Sequence, residues 1–170
     1  MRRALPALAA ACLPLLAACS MIGGGDDGPN PTISPPAGMK NVTKGYFAFG
    51  VPSDWSEDVG DVTGWRDPNG EITMTLSGGT ITQCPTPGNS AGYGAKGSRN
   101  KDTGQTVTSV RHFKVPGAAG ALRYTLTGGQ GGDEVLLQAW RRGCDDSLVL
   151  HVAATGDADR IAGTIIAVND

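Results

Sequence analysis

The stretch EVLLQAWRRGCDDSLVLHVAA, residues 134–154, consists of two apolar runs on either side of a short polar segment. The runs Glu134–Arg142 and Ser147–Ala154 are rich in Val and Leu, a composition that favours β-strands. The segment Gly143–Asp146 between them holds the glycine and aspartates that are typical of a tight turn. The stretch therefore predicts an antiparallel β-hairpin.

Two more strands are predicted just before this hairpin. Thr106–Val115 has the composition of a strand and ends before a Pro-Gly pair. Gly120–Thr127 follows, and its alternating pattern places three large side chains on one face, those of Leu122, Tyr124 and Leu126. Because antiparallel strands need only short connections, we expect residues 106–154 to form a four-stranded meander.

The preceding part of the chain also carries strand patterns. Tyr46–Val51 alternates large apolar residues and ends before a proline, and Ile72–Ser77 alternates apolar residues with threonine or serine. The turn sequence Asp67–Gly70 separates Trp65 from the second of these runs, which predicts another hairpin. Pro52–Val59 is expected to form a short helix or a loop.

The segment Asn89–Gln105 is rich in Gly, Ser and Asn. It is expected to form a long polar loop or a poorly formed helix. Loops of this length are usually functional or mobile.

The clearest helix pattern covers Asp157–Ile166. Its first residue can act as an N-cap, and its apolar residues Ala158, Ile161 and Ile165 share one face, although Gly163 weakens the pattern. These elements together predict an α+β fold: an antiparallel sheet with a C-terminal helix packed on one face. The expected domain covers residues 45–170, a length that suits one hydrophobic core.

Two motifs resemble a known fold. The segment FGVPSDW at residues 49–55 resembles the F-x-V-P-x-x-W opening of the PsbP-like fold, which includes actinobacterial lipoproteins of the LpqN type. Val62–Gly70, and the Ser-Gly-Gly run at 77–79 that precedes Cys84, resemble uncharacterised actinobacterial surface domains. The resemblance covers most of residues 45–170 and implies a PsbP-like α+β fold. It implies no activity, because the motifs are structural and a shared fold does not carry function across.

The N-terminus resembles the signal of a bacterial lipoprotein. Two arginines precede a short apolar stretch that ends in LAAC at residues 16–19, which is similar to a lipobox. In that family the chain is cut at the position between Ala18 and Cys19, and the cysteine sulfur carries a diacylglyceryl group. Residues 1–18 are therefore expected to be a lipoprotein signal peptide. The alternative is an ordinary secretory signal, with Cys19 as an incidental thiol.

Residues 19–44 follow this signal and are dominated by Gly, Pro, Ser, Thr, Asn and Asp. A segment of this composition buries too little apolar surface to offset the entropy of ordering it. We therefore expect a lipidated Cys19 followed by a disordered tether. The expected location is the extracytoplasmic face of the cell membrane, with the lipid as the anchor.

The charge of the chain bears on its partners. Without residues 1–18, which hold two arginines and no acid, the chain has 12 basic and 16 acidic residues. A mildly acidic protein has no electrostatic reason to bind nucleic acid or anionic lipid through its surface. We expect membrane contact through the lipid anchor and no nucleic-acid partner.

Two cysteines remain in the predicted domain, Cys84 and Cys144. Two cysteines in an exported domain most simply form one disulfide. The alternatives are two free thiols or half of a metal site. The only histidines, His112 and His151, lack the spacing of a zinc motif, so neither a metal nor a cofactor is expected.

The candidates for ligand binding are aromatic and basic. A tryptophan exposed near arginines can bind a glycan or a peptide, and the candidate ligand surface consists of Trp65, Arg141 and Arg142. The alternative is that the tryptophans pack in the core. Arg111 and Arg123 also lie on predicted strands, and these four arginines would form an anion-binding patch if the fold brought them to one face.

The sequence contains no nucleophile-elbow motif and no phosphate-binding loop. We therefore expect a non-catalytic binding or accessory module at the cell envelope, with an envelope protein or a glycan as its partner. Two alternatives stay open. One is a hydrolase or metal-dependent enzyme with a dispersed site, and the other is a structural envelope spacer.

Overall fold

A computed structural model describes residues 34–89, 91–130, 132–153 and 156–168. The predicted signal peptide, its cleavage site between Ala18 and Cys19, and the first part of the predicted tether lie outside the described residues. Within them no helix has the length and apolar character to cross a membrane.

The described residues form two antiparallel sheets and one short helix. In chain order the elements are β1 (Met39–Lys44), β2 (Phe47–Pro52), β3 (Ser56–Val59), β4 (Thr63–Arg66), β5 (Ile72–Gly79), β6 (Thr106–His112), β7 (Gly120–Thr127), β8 (Glu134–Trp140), β9 (Ser147–Ala153), α1 (Asp157–Ala162) and β10 (Ile166–Ala167). The small sheet has the order β1-β2-β10, and the large sheet has the order β3-β4-β5-β9-β8-β7-β6.

The predicted meander is confirmed. The strands from β6 to β9 are neighbours in the large sheet in their chain order, and each pair is antiparallel. The hairpin predicted across Asp67–Gly70 is confirmed as well, because β4 and β5 pair on either side of it. The Asp67 carboxylate accepts hydrogen bonds from the backbone N–H groups of Asn69 and Glu71. These two N–H groups therefore have their hydrogen-bond acceptor within the turn.

The main core lies between the small sheet and one face of the large sheet. Alternate residues of β8 and β9 point into it, and α1 closes one side with Ala158 and Ile161. Phe49 of β2 meets Trp65 of β4 there, with ring centroids 5.7 Å apart and an edge-to-face angle of 81°. Both rings are fully buried.

A second apolar cluster covers the opposite face of the large sheet. Its buried side chains are Tyr93, Val107, Leu122, Tyr124, Leu126, Leu136, Trp140, Cys144 and Val149. Tyr93 belongs to the long polar connection between β5 and β6, described over residues 80–89 and 91–105, which lies over this face of the sheet. We call this connection the covering segment. Burial on both faces explains why β8 is an almost unbroken apolar run.

The disulfide between Cys84 and Cys144 is confirmed, with a Cα–Cα distance of 4.9 Å. It joins the covering segment to the turn between β8 and β9. The bond closes a loop of 60 residues. It therefore fixes the start of the segment to the face that the segment covers.

The predicted α+β class, with a C-terminal helix packed on one face, is wrong. The fold is β-rich, and α1 contains six residues, whereas the pattern predicted ten over Asp157–Ile166. After Gly163 the chain holds Thr164, whose hydroxyl donates to the carbonyl of Ile161 at 2.7 Å and accepts from the N–H of Gly50 at 2.7 Å. These bonds end the helix, and Ile166 and Ala167 then pair with β2 as β10. The β-branched Ile165 and Ile166 favour this extended conformation.

The predicted boundary at residue 45 is also wrong, because β1 occupies the last six residues of the predicted tether. Met39 pairs with Pro52 and Lys44 with Phe47, so β1 and β2 are paired along their whole length. Gly45 adopts a positive φ of 54° and opens the two-residue turn that joins them. The segment Pro52–Val59 contains strand β3 where a short helix or a loop was predicted.

Candidate functional site

A depression of about 330 Å³ lies on the large sheet beside α1. We call it the arginine depression. It is lined by Ser109, Arg111, Arg123, Thr125 and Asp159. Four of these residues come from β6 and β7, and the fifth comes from α1.

The strand register places the four sheet residues as two opposite pairs. Arg111 lies opposite Arg123, and Ser109 lies opposite Thr125. Directly opposite side chains in an antiparallel pair have Cβ atoms about 4.5–5.5 Å apart, and like charges in such positions are destabilising. The two opposed arginines are therefore expected to lower the stability of the folded chain.

A bulge in β6 creates this arrangement. The register shifts between Val107 and Ser109, so one extra residue of β6, Thr108, stands in the ladder. With strict alternation Ser109 and Arg111 would share the face of Val107, which belongs to the second apolar cluster. The extra residue turns them to the opposite face, where Arg123 lies.

The charges in the arginine depression do not balance. Arg123 forms an ion pair with Asp159, whose side chain is 73% exposed. Arg111 is exposed and has no ion-pair partner among the described residues. Two guanidinium groups against one carboxylate leave one positive charge. Guanidinium and hydroxyl groups are donors suited to the oxygens of an anion.

A separate cluster of four polar side chains joins the covering segment to the sheet. We call it the polar clamp, and it consists of Tyr93, Gln105, Glu134 and His151. The Tyr93 hydroxyl donates to Gln105 Oε1 at 3.0 Å, and Gln105 Nε2 donates to the carbonyl of Gly132 at 3.2 Å. Glu134 Oε2 lies 3.6 Å from His151 Nδ1, a contact just beyond hydrogen-bond distance.

The polar clamp alters two pKa values. The imidazole of His151 lowers the pKa of Glu134, and the amide of Gln105 lowers it further against the opposing effect of partial burial. Burial raises the pKa of Tyr93, and the nearby Glu134 carboxylate raises it further against a hydrogen bond from Thr103. At neutral pH these directions favour an ionised Glu134 beside a neutral Tyr93.

The predicted ligand surface of Trp65, Arg141 and Arg142 is wrong in its aromatic member. Trp65 is fully buried in the main core, where a ligand cannot reach it. Arg141 lies over the ring of Tyr46, 3.9 Å from the ring centre, in a cation–π contact. Arg142 is exposed in the turn after β8.

Of the four arginines considered for an anion-binding patch, the arginine depression contains two. Arg111 and Arg123 converge, whereas Arg141 and Arg142 follow β8 in the turn to β9. The sequence places arginines on predicted strands but carries no sign of the bulge. The part of the chain that the structure describes holds no group of three or more His, Cys, Asp or Glu residues arranged for a metal.

Neither a protein-family model nor a curated protein matches this chain. The resemblance to PsbP-like and LpqN-type domains therefore stays a prediction. Any functional assignment depends on the residues of the chain itself.

Proposed function

We propose that this chain is a lipid-anchored, extracytoplasmic binding module of the cell envelope, without catalytic activity, that binds an anionic ligand at the arginine depression. The lipobox-like sequence before Cys19 and the tether-like composition after it support the anchor. The Cys84–Cys144 disulfide supports export, because disulfides persist in oxidising compartments.

One observation carries the binding role: Arg111 and Arg123 lie directly opposite each other with a single acid beside them. Like charges in opposite positions of an antiparallel pair are destabilising, so a contribution to stability does not explain the two arginines. The guanidinium of Arg111, which has no ion-pair partner among the described residues, lines a depression that is open to a ligand. An anionic group bound there would remove the repulsion between the two arginines.

Photo-crosslinking in intact cells tests this function. A crosslinking amino acid at Thr108, which is exposed on β6 beside the depression, is expected to capture an envelope component. The same amino acid at Asn69, exposed in the turn between β4 and β5, is the matched control. Arg111→Ala should remove the Thr108 product. A product that persists in this variant would contradict binding at the depression.

The enzyme alternative would need His112 or His151 as a base. These histidines lie on β6 and β9, three strand spacings apart in the large sheet, or roughly 14 Å, so they cannot act on one reacting atom. Within the described part of the chain, the histidine that lies beside an acid is His151, next to Glu134, and this pair could serve the enzyme alternative. Substrate turnover by the purified protein that is lost in His151→Ala would replace our proposal with an enzyme.

A further inference from the structure

The charge balance of the arginine depression limits which anions fit it. Arg111 and Arg123 contribute two positive charges, and Asp159 contributes one negative charge. An anion with one negative charge neutralises the depression while the Arg123–Asp159 ion pair stays intact. An anion with two negative charges meets repulsion from Asp159 or must displace it from Arg123.

The arrangement of donors limits the shape of the anion. The two guanidinium groups form one opposite pair, and the hydroxyls of Ser109 and Thr125 form the next opposite pair along the same strands. These four side chains surround one depression. A planar carboxylate can satisfy a single guanidinium fork, whereas a tetrahedral phosphate presents oxygens in several directions at once.

We propose that the arginine depression binds a phosphodiester monoanion, and that Asp159 discriminates against phosphomonoester dianions. This inference rests on the proposed binding function and adds the chemical class of its ligand. A phospholipid headgroup and a soluble or polymeric phosphodiester share this chemistry. The chain is acidic as a whole, but the local excess of one arginine in the depression permits such binding.

The test measures binding of three probes to the full chain in a non-ionic detergent at pH 8. The probes are sn-glycero-3-phosphoglycerol, which is a diester, sn-glycerol 3-phosphate, which is a monoester, and acetate. At pH 8 the monoester carries nearly two negative charges, because its second pKa is about 6. We expect the diester to bind most tightly.

Asp159→Asn is the decisive variant. Removing this charge should strengthen binding of the monoester roughly three- to tenfold more than binding of the diester, because the extra charge of the monoester no longer meets a carboxylate. Arg111→Ala should abolish binding of both phosphate probes. Arg142→Ala, which removes an exposed arginine outside the depression, is the matched control and should leave all affinities unchanged.

Adding phosphatidylglycerol to the detergent micelles separates the two sources of the ligand. Competition with the soluble diester would support a lipid headgroup as the source, and no competition would support a soluble or polymeric phosphodiester.

Equal affinities for monoester and diester in the unmodified chain, or tighter binding of acetate, would overturn the inference but leave an anion-binding function standing. An unchanged preference in Asp159→Asn would overturn the role of that residue. Failure of all three anions to bind would contradict the proposed function itself.

Discussion

Arg111 of β6 lies directly opposite Arg123 of β7, and Asp159 of α1 pairs with the second of these arginines alone. The bulge at Thr108 is the backbone feature that brings the two guanidinium groups to the same face. Bulges frequently redirect side chains near functional sites. The arginine depression is therefore a product of the backbone as much as of the side chains.

Replacing Arg111 should change the stability of the fold and the affinity for the anion in opposite directions. Arg111→Ala removes a like-charge contact across the ladder, so the free energy of unfolding should rise by about 0.2–1 kcal/mol while anion binding is lost. Urea denaturation measures the first effect. Arg142→Ala should stay within about 0.5 kcal/mol of the parent protein. A clear loss of stability in Arg111→Ala would mean that this side chain supports the fold.

The covering segment should depend on its disulfide. The double variant Cys84→Ser, Cys144→Ser is expected to lose about 2–5 kcal/mol of unfolding free energy, because the loop of 60 residues is no longer closed in the unfolded chain. Limited proteolysis should then cut first within residues 80–105. An unchanged denaturation midpoint and an unchanged cleavage pattern would show that the second apolar cluster holds the segment by itself.

The polar clamp predicts a loss of stability in acid. The folded-state pKa of Glu134 lies below its ordinary value of 4.5, so its contribution is present above the unfolded-state pKa and is lost as pH falls through the folded-state value. Glu134→Gln should therefore be less stable than the parent protein at pH 7, and the difference should shrink below pH 4.5. Denaturation curves at a series of pH values measure this. A constant difference at all pH values would exclude the ionised carboxylate as its source.

The hydroxyl of Thr164 should link α1 to the small sheet. Thr164→Val has a similar shape but leaves the buried N–H of Gly50 without its acceptor. The expected cost is about 1–3 kcal/mol, the usual penalty for a buried donor without a partner. Thr164→Ser, which keeps the hydroxyl, is the control. A Thr164→Val variant as stable as the parent protein, together with a destabilised Thr164→Ser variant, would show that the methyl group and not the hydroxyl carries the effect.

The lipid anchor can be tested chemically. Mass spectrometry of the mature protein should find an N-terminus at Cys19 with added acyl mass, and Cys19→Ala should release the protein from membranes. An unmodified start at another residue would contradict the anchor, and with it the proposed attachment to the envelope.

Alternation in β7 and apolar composition in β8 and β9 predict the central part of the large sheet well. The runs that become β7, β8 and β9 have apolar residues in the positions that face the two cores, and the turns between them carry glycine or aspartate. The disulfide follows from the presence of two cysteines in a domain that was predicted to be exported. These features are local, or depend on a simple count, so they are visible in the sequence.

The features that the sequence hides depend on tertiary contacts. β1 has the polar composition MKNVTK because only one side of it packs, so it resembles a linker until β2 pairs with it. β3 is a short, polar edge strand for the same reason. The helix predicted over Asp157–Ile166 forms in its first half, but after Gly163 the chain pairs with β2 as a strand. No residue type in the sequence marks the bulge at Thr108. The placement of Arg111 and Arg123 on the same face could therefore not be predicted.

The position of β1 has a mechanical consequence. A chain tethered upstream of this domain transmits any pull to Met39, which lies at the open end of the β1–β2 hairpin, opposite the turn at Gly45. Force applied at that end breaks the hydrogen bonds between β1 and β2 one pair after another. Force that pulls two paired strands in opposite directions along their length acts on many hydrogen bonds at once. If the proposed tether carries tension, β1 should therefore separate from β2 before the large sheet is disrupted. This would lengthen the tether and leave the arginine depression, which lies on the large sheet, intact.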